Sequence, residues 1–365
     1  MNDVIFIVIA IGIVIGGVAW IIDKNSDYGR KFEEGIMMMG PLASSMVGII
    51  CLSPVISWLL SVLIAPLFLR LGFDPAVLGG ILPLDMGGYH IAVELAESAL
   101  VGRFAGIIIG ATFGCTLIFT VPVGMGMIEE KDHTIFSQGI LIGLIIVPVS
   151  LMIGGYMAGL DLLTTVIQSS PIIILIVVIM ILMRMRPNVI LRFFSGLARF
   201  LRLIAVIGLV LASVEFILGR DVIPGMLVLE EGMDVVVSIT IFLVGALPIS
   251  VLLIRLLRRP MQKISELTSL NEYSIIGLLL STISMVPTFA MIKDMDPVGK
   301  LMNAAFMVSA ASTLAAHLAF TSAVEPSLVT ALICSKMVGG IVALIVARYL
   351  APRFVQAEEL AVETE

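Results

Sequence analysis

The chain has 365 residues, 59% of them apolar and 13% charged, with a formal charge of −6 and a mean hydropathy of +1.16. Those values exclude an ordinary water-soluble domain and place the chain among all-α polytopic membrane proteins, in which about 20 apolar residues of helix cross a hydrocarbon core roughly 30 Å thick. The acidic balance argues against nucleic acid as a partner.

The N-terminal stretch MNDVIFIVIAIGIVIGG carries an acid and no base before its apolar run, and Lys24, Arg30 and Lys31 follow it. A cleavable signal peptide has the opposite order, so residues 4–22 are expected as a retained helix with its N-terminus outside. Further apolar runs lie at 36–69, 76–97, 104–125, 136–158, 171–185, 201–219, 233–256, 275–293, 301–323 and 328–349, which makes eleven segments. If all eleven crossed, the loop with Arg184, Arg186, Arg192, Arg199 and Arg202 would lie outside, against the rule that Lys and Arg stay cytoplasmic. Two runs carry Gly and Pro beside polar groups, GGILPLDMGGYH within 76–97 and LLSTISMVPTF within 275–293. Read as re-entrant, they leave about nine full spans and a cytoplasmic C-terminus, with only Arg70, Arg103, Arg220 and Lys336 on the outer side. Residues 255–272, RLLRRPMQKISELTSLNE, read as an interfacial stretch with bases near anionic lipid. Residues 351–365 form a short acidic cytoplasmic tail.

A shift of 197 residues lays FEEG (32–35) on LEEG (229–232), Val47-Gly48 on Val244-Gly245, Gly102-Arg103 on Gly299-Lys300, and Thr116-Leu117 on Thr313-Leu314. Gly143 falls on Gly340. These clusters at one offset point to an internal duplication, 4–158 and 201–350, joined by a linker helix at 171–185 within a single transport domain. With the topology above the halves are inverted repeats, an arrangement common among secondary transporters. The two re-entrant tips would then meet near the midplane, where irregular backbone is tolerated if it lines a cavity.

A carboxylate at membrane depth is costly, so Asp85 needs a partner, a cavity or a proton. It reads as a site for a cation, with Gly87 and Gly88 letting a ligand approach bare backbone and Tyr89 offering a ring face to an ammonium group. The alternative is the N-cap of a half-helix, and both roles can hold. Glu33 and Glu34 open the second segment and recur as Glu230 and Glu231; they complement a helix dipole or act in the pathway. His317, in TLAAHLAF, is a proton carrier, a ligand contact or a helix-bundle hydrogen-bonding group. Glu94 and Glu97 lie three apart beside Arg103 as a solvated rim, and Glu215 and Asn303 are polar points with packing explanations at hand. Cys51, Cys115 and Cys334 sit apart in apolar runs and read as core residues, with neither disulfide nor metal spacing. No phosphate loop, metal set or catalytic triad appears, so neither a cofactor nor an enzymatic activity is expected.

FEEGIMMMG (32–40), DMGGYHIAVELA (85–96) and MIKDMDPVGKLMNAAFMVSAA (291–311) closely resemble the bacterial ethanolamine-utilisation membrane permease family. The likeness runs over nearly the whole chain, through GRDVIPG (219–225) and SKMVGGIVA (335–343). It implies an inner-membrane permease, in contact with the lipid bilayer, that admits ethanolamine for catabolism in a protein-shelled microcompartment. Self-association stays open. By that match Asp85, Gly87, Gly88, Glu94, Lys293, Asp296, Asn303, Glu33 and Glu34 stand at family motif positions. Three departures stand out: the family pattern has an Asn pair where this chain has Ser284 and Met285, and an Asp where it has Ala316 before His317. Ser284 thereby joins Asp85 and His317 as a candidate substrate contact. The departures favour, as an alternative cargo, another small amine or polyol. A membrane anchor for the catabolic shell is a further alternative, with only short tails to serve it.

Overall fold

Long apolar runs form long helices here because lipid offers backbone groups no hydrogen-bond partner and a helix satisfies them internally. The computed structural model describes residues 2–82 and 88–362, and every regular element among them is helical. In chain order these are α1 (Asn2–Ile22), α2 (Asp27–Leu63), the short pair α3 (Ala76–Ile81) and α4 (Gly88–Leu95), α5 (Ala99–Met127) and α6 (His133–Met157). There follow α7 (Leu162–Met185), α8 (Pro187–Leu218), α9 (Leu229–Thr268), the short pair α10 (Glu272–Ile283) and α11 (Met285–Met291), α12 (Pro297–Ala310), α13 (Ala316–Val324) and α14 (Val329–Val362). Eight helices among the described residues, α1, α2, α5 to α9 and α14, are long and apolar enough to cross a membrane.

Several elements depart from the reading of the sequence. Segment 301–323, expected as one span, is divided between α12 and α13, with a break at residues 311–315. The helix expected at 171–185 begins at Leu162, because Asp161 caps it. The Thr164 hydroxyl and backbone N–H both donate to that carboxylate and hold its pKa below the usual carboxylate value. Residues 255–268 continue α9 past Pro260, and α14 continues into the C-terminal tail. Lys336, counted above among outer-side bases, is fully buried within α14.

Both short pairs are helical hairpins whose ends are tied together. Asp74, buried, accepts the N–H of Ala76 at 2.9 Å, of Glu97 at 3.3 Å and of Ser98 at 3.0 Å, so its carboxylate joins the entry of α3 to the exit of α4. The two helices touch backbone to backbone, since a Cβ on Gly88 would overlap the Gly79 carbonyl oxygen. In the second hairpin the clamp acid sits at the other end. Asp296 accepts the Asn271 N–H at 2.9 Å and the Ser274 hydroxyl at 2.7 Å, and it caps α12 through Gly299 N–H at 2.8 Å. Carboxylates that accept several backbone and hydroxyl donors make strong, charge-assisted bonds. Small residues bring α6, α12 and α14 close: the Ser150 hydroxyl donates to Ser309 Oγ at 3.0 Å, and Gly339 packs against both.

Tied ends are expected to put the two ends of a hairpin on one side of the membrane, whereas a span would separate them. Single cysteines at Leu71 and Leu100, both exposed, are expected to react with an impermeant maleimide from one face, and cysteines at the exposed Leu267 and Asp294 from the opposite face. Finding the two members of either pair on different faces would rule out the hairpin arrangement.

Candidate functional site

Two helix breaks meet at the centre of the molecule. Pro287 lacks the N–H that would bond the carbonyl of Ile283, so α10 stops there and Ser284 turns extended, with φ −150° and ψ 132°, before α11 starts. Beside it, the break between α12 and α13 contains Ser312 with φ 54°, a left-handed conformation that non-glycine residues adopt at a cost. The two breaks satisfy each other: Ser312 N–H donates to the Ser281 carbonyl and Leu314 N–H to the Thr282 carbonyl, both at 2.8 Å. Irregular backbone at this depth persists because it finds protein partners in place of water.

A cavity of about 230 Å³ opens at this junction. Its polar lining residues include Glu34 from α2, Ser284 and Ser312 from the breaks, and His317 from the first turn of α13. Met38, Met46, Phe119, Leu243, Met285 and Phe320 supply apolar wall. His317 is 3% exposed; its N–H donates to the Ser312 carbonyl at 3.1 Å, and its ring Nδ1 has no hydrogen-bond partner among the described residues. Ser284, Met285 and Ala316, the three departures from the family pattern, all line this one cavity.

Glu34 also lines a second, more polar cavity of about 430 Å³, with Asp27, Arg30, Lys31 and Arg255. There Lys31 Nζ lies 2.6 Å from Glu34, whose side chain is about half exposed, and Asp27 pairs with Arg30 at 2.9 Å and Arg255 at 2.6 Å. Arg255 also lies over the Tyr28 ring, 4.9 Å from its centroid. The larger cavity is thus a charged vestibule that shares Glu34 with the central one.

Of the residues singled out from the sequence, Glu34, Ser284 and His317 come together. Asp85 and Gly87 lie outside the described residues. Gly88 packs against α3, and Tyr89 donates its hydroxyl to Glu325 at 3.3 Å. Glu33 and Lys293 are exposed, and Glu94 accepts the Ser53 hydroxyl at 2.9 Å. Asn303 is fully buried and donates from Nδ2 to the carbonyls of Ser274 and Gly299, which fastens α12 to α10. Asp296 is the hairpin clamp described above. Glu215 accepts the N–H groups of Val222 and Ile223 and closes the loop after α8.

Sequence reasoning missed Lys336. Its ammonium donates to the Ala111 carbonyl within α5, where the helix is wound in π fashion over Phe104–Gly114, and its titratable neighbours are Cys115 and His317. The signal was available: SKMVGG puts small residues on both sides of the lysine, so neighbouring helices can close over it. No group of three or more His, Cys, Asp or Glu side chains among the described residues is placed to hold a metal ion.

The profile of the family described as "Ethanolamine utilisation protein, EutH" matches residues 1–350. The chain belongs to that family. It is 35% identical over 365 residues to the "Probable ethanolamine permease EutH" of Listeria monocytogenes, covering 100% of this chain and 98% of the relative. It is 34% identical to "Uncharacterized protein YxeR" of Bacillus subtilis over 96% of this chain and 95% of that one. A further relative, the "Probable ethanolamine permease EutH" of Salmonella typhimurium, is 33% identical over 89% of this chain and 86% of its own. No solved structure matches the chain. Family and fold together make it an integral membrane protein.

Two motif residues separate by burial and bonding. Asp296→Ala removes acceptors from three donors and is expected to lower stability by about 1–3 kcal/mol, read as a lower Tm in detergent. Lys293→Ala, at an exposed position, should stay within about 0.5 kcal/mol of the parent. Equal effects of the two substitutions would contradict the clamp.

Proposed function

We propose that this protein is a permease that carries protonated ethanolamine across the bacterial inner membrane, with the central cavity as its binding site. The observation that carries the reading is the cavity itself. It brings a carboxylate, a serine hydroxyl and a buried histidine nitrogen to one place within a family whose relatives are named ethanolamine permeases. An ammonium leaving water needs charge-assisted acceptors, and a hydroxyl needs a donor and an acceptor. Glu34 serves the ammonium, displacing Lys31 from the carboxylate as the cargo passes between vestibule and cavity. Ser284 and the His317 ring serve the hydroxyl. Asp85, at its family motif position, is the proposed second carboxylate on the path. An interior-negative potential favours cation entry by about 2.3 kcal/mol per charge per 100 mV.

The same proposal orients the chain with its N-terminus outside and its C-terminus inside, as two inverted repeats related by the 197-residue offset. What supports the repeat is the order of elements. The hairpins begin at Ala76 and Glu272, α5 and α12 at Ala99 and Pro297, and α6 and α14 at His133 and Val329. The vestibule then faces the cytoplasm.

A second reading has its own observation. Met285 and Ala316 make the cavity less polar than the family pattern implies, which favours a larger or less polar amine, or a polyol. Uptake of labelled ethanolamine into proteoliposomes, competed by choline, propanolamine and ethylene glycol, separates the readings. Ethanolamine uptake inhibited mainly by propanolamine supports the first, and its absence rejects it.

Loss of a charge-assisted contact in Glu34→Gln is expected to raise the KM for ethanolamine by about tenfold or more. An unchanged KM in a folded variant would remove Glu34 from the site.

Ser284→Asn, Met285→Asn and Ala316→Asp together restore polar groups to the cavity, each aligned hydrogen bond being worth about 0.5–1.5 kcal/mol. If ethanolamine is the native cargo, the triple variant keeps or lowers its KM. If the pocket is shaped for another cargo, the variant gains ethanolamine uptake only while losing the native activity, and measuring both on each single variant and the triple decides between them.

A further inference from the structure

Beyond the cavity, aromatic and charged side chains line up in sequence toward the face opposite the vestibule. Phe320 forms part of the cavity wall. The Tyr89 ring stands edge-on to it, with centroids 6.1 Å apart and planes at 80°. The Tyr89 hydroxyl donates to Glu325 Oε2 at 3.3 Å, with the Val324 carbonyl at 3.4 Å, and Arg103 Nε meets the same Oε2 at 3.1 Å. Ser327 donates to the other oxygen of Glu325. These groups come from three separate elements: Tyr89 from the first hairpin, Arg103 from the start of α5, and Phe320 with Glu325 from α13 and the turn after it. The Glu325 side chain is 12% exposed and that of Arg103 46%, so the acid is sheltered and the base closes over it from the solvent side.

The vestibule lies at the other face. It is built where α2 begins, and α2 ends near the entry of the first hairpin, at the Arg103 end of the molecule. The central cavity therefore borders a wide polar space on the Glu34 side and a stack of one aromatic pair and one ion pair on the Tyr89 side.

We propose that Tyr89, Phe320, Glu325 and Arg103 form the gate that closes the cavity toward the face opposite the vestibule. This rests on the permease reading above. Opening that face requires the first hairpin and α5 to part from α13, and every contact in the stack joins those elements. Glu325 is the hinge of the device because it holds both Arg103 and Tyr89. Phe320 and Tyr89 exclude water beneath the ion pair, which strengthens its attraction by lowering the local dielectric. An ammonium cargo arriving from that face meets Glu325 as the first sheltered carboxylate and competes with Arg103 for it, so the gate is matched to cations.

The same construction recurs at the far end of the crossing. Lys300 meets Asp132 at 2.6 Å, and Phe136, one turn after Asp132, stands edge-on to Phe289 at 6.0 Å. A Lys300 variant thus controls for loss of a sheltered ion pair elsewhere, one that ties α12 to the turn before α6.

The test places a reporter cysteine at Ala316, in the cavity wall, with Cys51, Cys115 and Cys334 replaced by Ser, in oriented proteoliposomes. The rate of labelling by an impermeant maleimide from the Arg103 face is the readout. Glu325→Gln is expected to raise that rate about tenfold, the shift that loss of one closed-state contact produces in a two-state equilibrium. Tyr89→Phe should raise it less, the exchange Arg103→Glu with Glu325→Arg should return it toward the parent, and Lys300→Gln should leave it unchanged. Parent-like labelling of Glu325→Gln and Tyr89→Phe in monodisperse protein overturns the gate, as does an equal rise in Lys300→Gln. Labelling needs no cargo, so failure here and failure of ethanolamine uptake are distinguishable results.

Discussion

The structure depends on one constraint: within a membrane, a carbonyl or N–H released by a broken helix must find a protein partner, because lipid supplies none. The break at Ser284 and the break at 311–315 could not stand alone. They stand together because the Ser281 and Thr282 carbonyls at the end of α10 accept the N–H groups of Ser312 and Leu314. The cavity occupies the space that this mutual repair leaves between them, so the binding site and the satisfaction of the backbone are one arrangement.

Clamping carboxylates serve the same need at the hairpin ends. Asp74 and Asp296 gather backbone and hydroxyl donors from both ends of their hairpins, which holds the short helices in place although each is far too short to be stable alone. In α5 the backbone adapts differently. It stays helical but widens to π winding over Phe104–Gly114, and the buried Lys336 ammonium rests on one of its carbonyls. Irregular winding of this kind is concentrated at functional sites in helical proteins, and a second π-wound stretch of α5, Thr116–Thr120, borders the cavity through Phe119.

Charge follows a gradient of shelter. The vestibule groups Asp27, Arg30 and Arg255 are half exposed or more, and such pairs contribute little to stability while shaping the field that a charged solute meets. Glu34, which lines both vestibule and cavity, is paired with Lys31 of its own helix. Asp132 and Lys300 are sheltered, and separating such a pair costs far more than separating a surface one. The weakly held carboxylate stands where cargo would pass, and the strongly held pair stands where helices must stay together.

The sequence by itself determined the class of protein, where most of its long apolar helices lie although not their ends, and the family, because hydropathy, Gly and Pro are local signals that lipid reads directly. It also marked Glu34 and His317 as polar groups open to a functional or a structural role, and Ser284 as a departure from the family pattern. Tertiary structure alone decided which of them meet, since Glu34 and His317 are remote in sequence and share a cavity only because α2 and α13 pack against the same break. It also decided that Asp296 and Asn303 fasten helices, that Tyr89 serves Glu325, and that 301–323 is two helices: Ser312 leaves the helical path only because Ser281 is there to receive its N–H. Lys336 was misplaced for the same reason. A lysine near a helix start reads as a surface base until the helices that close over it are known.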